Sequence, residues 1–192
     1  MTMLPDHPID ALPETQMSRA IDRFVRSVGH AVSGVWVLLL LAIVANVTLR
    51  YVFGAGRVEF EELQWHLYAL GFLAGLSYGV QADAHIRVDV VSERLSPRTR
   101  AWIDLYGTLL LLLPFVALIV VYGVPFAWHA WESGEISPSP GGLPYRWIIK
   151  ASLPLGFALL GLATCARIAR VSSLLFGRAR PSPEGAAREP GA

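Results

Sequence analysis

The sequence predicts an all-α integral membrane bundle of four transmembrane helices, with N-terminus and C-terminus both cytoplasmic. Three observations carry that expectation. The first is composition: in 192 residues, apolar types make up 54% and charged types 16%, with a mean hydropathy of +0.47. A soluble domain carries about 25% charged residues, so this chain has too little charge to cover a wetted surface. The second is the spacing of charge. Intervals free of Asp, Glu, Lys and Arg run for 23 residues after Arg26, 20 after Glu62, 27 after Asp104 and 16 after Lys150. A bilayer-crossing helix needs about 20 apolar residues. The third is the asymmetry of basic residues. With the N-terminus inside, twelve Arg fall on inner segments and four basic residues (Arg50, Arg57, Arg146, Lys150) on outer ones, which follows the positive-inside bias.

The elements follow in order. Residues 1–18 read as a flexible cytoplasmic tail. Residues 19–27 put Ile21, Phe24 and Val25 on one side and Arg19, Arg23 and Arg26 on the other, the pattern of a short surface-lying lead-in. A four-span membrane domain occupies 19–175, with spans at about 28–49, 62–82, 103–129 and 147–167. The first run is too long, and its polar leader too extended, for a cleaved signal peptide, so a retained anchor is expected. The fourth interval is short, and it reaches full length because Lys150 can snorkel. Residues 178–192 read as a disordered cytoplasmic tail.

The connections have distinct characters. The first outer one turns on Gly54 and Gly56 and ends in Glu59, Glu61 and Glu62. Acids there suit the positive end of the second helix. The inner connection places Ser96 before Pro97, an N-cap followed by a first-turn proline, so the third helix should start near residue 97. Pro114 should kink it. The second outer connection, residues 132–146, is dense in Pro, Gly and Ser and should be irregular.

Several classes are excluded. No P-loop, dinucleotide fingerprint or nucleophilic triad is present, so no enzyme is expected. The basic residues form no dense block, so no nucleic-acid partner is expected. The single Cys165 excludes an internal disulfide and a cysteine cluster. No charged residue lies mid-span, which argues against this chain alone binding a charged solute within the membrane. Asn46 and Thr48 read as ordinary polar residues of the interface.

Two constellations remain. Gly71, Gly75 and Gly79 recur every four residues and stack on one face of the second span, either as a docking face for a partner subunit or as packing within this chain's own bundle. Glu62 and His66 share a face at the outer end of the same helix. His30, His66, His85 and His129 also allow an alternative: a four-helix, haem-binding redox membrane anchor, since facing helices can hold haem through paired histidines.

From Arg50 to Leu105 the chain resembles the small membrane subunit of tripartite ATP-independent periplasmic (TRAP) transporters, the DctQ-like family. An Arg closes the first span (Arg50), and a short glycine-containing turn follows. The pair Glu61–Glu62 opens the second span, and its Gly-rich end leads into His85-Ile86-Arg87-Val88-Asp89. Leu95-Ser96-Pro97 then enters the third span. The resemblance implies a bacterial inner-membrane heterocomplex. In that family a large permease subunit carries the transport site and the coupling ion, expected to be sodium. A periplasmic solute-binding protein captures the solute, commonly a carboxylate, and the small subunit braces the large one in the lipid bilayer. No cofactor is expected on this chain. The residues expected at subunit interfaces are Arg50, Glu61, Glu62, His66, Gly71, Gly75, Gly79, His85, Arg87 and Asp89.

Overall fold

A computed structural model describes residues 16–81 and 95–176. The described residues are all helical apart from turns and loops. Helix α1 is Gln16–Tyr51, α2 is Val58–Gln81, α3 is Pro97–Gly107, α4 is Leu113–Glu132 and α5 is Trp147–Leu175. A π-helical turn, Thr108–Leu112, joins α3 to α4 without interruption.

Three helical stretches are long and apolar enough to cross a membrane: Ser18–Tyr51, Arg98–Glu132 and Trp147–Leu175. At 24 residues, α2 has the length to cross. Its outer third, however, carries Glu59, Glu61, Glu62, Gln64 and His66, which lowers its apolarity.

The segment expected to lie on the surface belongs instead to α1. Residues 19–27 are early turns of one 36-residue helix, roughly 54 Å long at 1.5 Å per residue. Val25 is fully buried while Phe24 is exposed. The buried face of these turns is Ser18, Asp22 and Val25, so Phe24 lies off the face that meets the bundle.

The third helix begins as its sequence requires. Ser96 is the N-cap, its Oγ accepting the Thr99 N–H at 3.2 Å, with Pro97 in the first turn. The mid-helix proline acts through a π-turn. Pro114 has no N–H to return to Leu110, and just before it the Leu113 N–H reaches back to Thr108 O. A single wide turn absorbs the missing bond.

The order of packing is set by α5. Helices α1 and α2 pack on each other, and both pack on α5. Helices α3 and α4 pack on α5 and make no more than marginal contact with α1 or α2. Val25, Val80, Val116, Leu160 and Ala163 form the buried core. Small residues allow close approach: a Cβ on Gly156 would stand 2.6 Å from Leu73 Cβ, and one on Gly123 would stand 3.2 Å from Pro154. Much of the outward surface of α1 and α4 is exposed Leu, Val, Phe and Trp, as lipid-facing helices require.

Candidate functional sites at the two ends of the bundle

The turn between α1 and α2 is built by glycine. Gly54 adopts φ +63°, and the chain folds back so that Ala55 N–H meets Leu49 O at 2.9 Å. That reversal brings Arg50 to 3.4 Å from Glu61. The two side chains are 58% and 41% exposed, so the pair is worth only about 0–1 kcal/mol.

The neighbouring acid behaves differently. Glu62 turns from the α1 side and accepts from Ser137 Oγ and, at 2.6 Å, from the Leu143 N–H. Its own carbonyl accepts from His66 Nδ1 at 2.6 Å. The loop between α4 and α5 is therefore irregular, as expected, yet pinned. Within it Ser137 N–H meets Leu143 O, and Arg146 N–H meets Glu135 O at 3.2 Å. Gly142 is required: a Cβ there would fall 2.5 Å from Ser137 Cβ and 2.8 Å from a Glu62 oxygen. Glu62, Trp65, His66, Ser139, Arg146 and Ile149 are among the residues around an outward cavity of about 250 Å³.

A second cluster lies at the base of that loop. Glu135 pairs with Lys150 and, at 3.3 Å, with Arg146. The hydrogen bond from Lys150 and the nearby positive charges of Lys150 and Arg146 hold the Glu135 carboxyl below the usual carboxylate range. The Lys150 ammonium also sits 4.1 Å over the Phe126 ring, and Trp131 meets Trp147 edge-on. Lys150 is thus tied to the loop rather than snorkelling freely.

The glycine face divides. Gly71 is buried and faces α1, where a Cβ would stand 3.0 Å from the Trp36 ring. Gly75 faces open space. It lines a groove of about 300 Å³ between α1 and α2, together with Gly29, Ser33, Trp36, Ala74 and Tyr78. Gly79 is half-buried further along α2. His85, Arg87 and Asp89 lie outside the described residues. Of the remaining histidines of the haem alternative, His66 is engaged by its own helix, and His30 and His129 are exposed on α1 and α4.

Sequence reading missed the opposite end of the bundle. Arg167 grips Asp104 with Nε at 3.0 and 3.2 Å and Nη2 at 2.9 Å. One turn on, Arg170 Nη1 lies 3.4 Å from Asp22. Three of these four side chains are under 15% exposed. One signal was present: Asp22 is the only acid among the three arginines of residues 19–27. Asn46, read from sequence as an interface residue, is buried on α1, and its side-chain oxygen has no hydrogen-bond partner among the described residues.

Long apolar helices, charged ends and apolar middles define a helical membrane protein. The family model for the DctQ component of tripartite ATP-independent periplasmic transporters matches residues 39–173, and the chain belongs to that family. Among curated proteins it is similar to the C4-dicarboxylate TRAP transporter small permease protein DctQ of Rhodobacter capsulatus, with 31% identity over 133 residues, 69% of this chain. The aligned part is 53% of that relative, so the chain spans about half its length. No solved structure matches. The family is a component of a transporter, which places this chain in membrane transport.

Proposed function

We propose that this chain is the small membrane subunit of a tripartite uptake system in a bacterial inner membrane. It crosses four times, with both termini cytoplasmic and α2 as the fourth span. It braces a large permease subunit that carries the transport site and the ion coupling, and a periplasmic binding protein delivers the solute. The family match over residues 39–173 carries the reading. Two features support it. The 24 residues of α2 reach roughly 36 Å, enough for a hydrocarbon core of about 30 Å. The twelve-to-four basic asymmetry sets the orientation.

A carboxylate is the solute class, because the similar Rhodobacter capsulatus protein is named for C4-dicarboxylates. The groove beside Gly75 is the face offered to the large subunit, since none of the described residues fills it. From the sequence, Arg87 and Asp89 are read as anchoring the inner end of the brace.

Reconstitution tests the reading. Vesicles holding this chain, the large permease and the binding protein should take up a labelled C4-dicarboxylate down a sodium gradient. Omitting this chain should abolish uptake. Full uptake without it would refute the brace, and uptake of other carboxylates only would correct the solute.

A further inference from the structure

We infer that α5 is the keystone of the fold, and that two ion pairs, Asp22–Arg170 and Asp104–Arg167, set its rotation and join two halves whose helices otherwise make little contact with each other. The inference concerns the chain's own assembly and goes beyond its role beside a permease.

Among the described residues, α1 and α2 form one half and the continuous α3–α4 rod the other, and they meet through α5. In lipid, apolar packing alone discriminates weakly between rotations of a helix, because acyl chains are as apolar as Leu. The α5 surface illustrates this. Gly156 against Leu73, Gly161 against Val116 and Pro154 against Gly123 permit close approach, but other small residues line the same helix, including Ala158, Ala163 and Ala166.

Charge discriminates strongly. Arg167 and Arg170 are three residues apart, so they leave α5 on neighbouring faces. One meets the acid of α3 and the other the acid of α1. Each half contributes one anion and α5 contributes both cations. A turned or shifted α5 parts two ion pairs that are mostly withdrawn from water, and breaking a buried pair is far costlier than losing an exposed one. The exposed Arg50–Glu61 pair at the other end lacks that leverage.

Charge exchange tests this on the full chain, purified in detergent and heated. Arg167→Asp and Asp104→Arg alone should each cut the monodisperse fraction surviving a fixed heat challenge by about tenfold, as an uncompensated charge does. The double exchange should regain most of the loss, and Arg170→Asp with Asp22→Arg should behave likewise. Arg167→Lys, which keeps the charge but not the fork, should fall between. If either double exchange is no better than its worse single variant, or if the singles survive like the parent, the inference fails. Because the readout needs no permease, its failure is separable from that of the transport reading.

Discussion

Glu62, in the second turn of α2, accepts the backbone N–H of Leu143 at 2.6 Å across 81 residues of chain. With Ser137 on the other oxygen, one carboxylate holds the outer loop to the bundle. A charge-assisted hydrogen bond contributes about 1.5–3 kcal/mol. Glu62→Ala should therefore free the loop while the helices remain packed. Amide exchange at Leu143, followed by mass spectrometry, should accelerate by roughly tenfold or more. Unchanged protection at Leu143 would show that the loop holds its shape without Glu62.

Glu135 supplies a pH dependence. Its hydrogen bond from Lys150 lowers its folded pKa, so the folded state binds the proton less readily than the unfolded chain. The resulting stability is fully present above the ordinary Glu value of about 4.3 and is lost as pH falls through the lower folded value. Melting curves of the parent and Glu135→Gln should differ at pH 7 and converge towards pH 3. A gap that stays constant over this range would remove the carboxylate as its cause.

Two glycines separate internal packing from an outward face. Gly156→Ala brings a Cβ within 2.6 Å of Leu73, and overpacking costs about 1–3 kcal/mol. It should lower the melting temperature of the isolated chain. A Cβ at Gly75 meets none of the described residues within 4 Å, so Gly75→Leu should leave that temperature unchanged while reducing co-purification with the large permease. A complex that survives Gly75→Leu intact would move the subunit contact elsewhere.

Orientation is open to reporter fusions. A fusion after Ala192 should be active in the cytoplasm, and one at Ser139 in the periplasm. The opposite pattern would overturn both the sidedness and the number of crossings.

Helix positions were legible because their causes are local. Ser96 caps its own helix, Gly54 turns its own loop, and the 27 charge-free residues after Asp104 form a helix wherever they are placed. The membrane class followed from the same local quantity, the lack of charge over lengths that match a bilayer. Local reading stopped where partners are distant. Glu61 and Glu62 are adjacent and chemically alike, yet one makes an exposed pair and the other holds a loop 75 to 81 residues away. Gly71 and Gly75 share one repeat, yet one is filled by Trp36 and the other is empty. Asp104 and Arg167 marked span ends in the sequence, and only the packing of α5 brought them to 2.9 Å. Sequence by itself determined the helices, their polarity and the family. Tertiary structure decided which charges pair and which faces stay open, because those depend on the rotation of each helix about its axis, and hydropathy is nearly blind to rotation when every side is apolar.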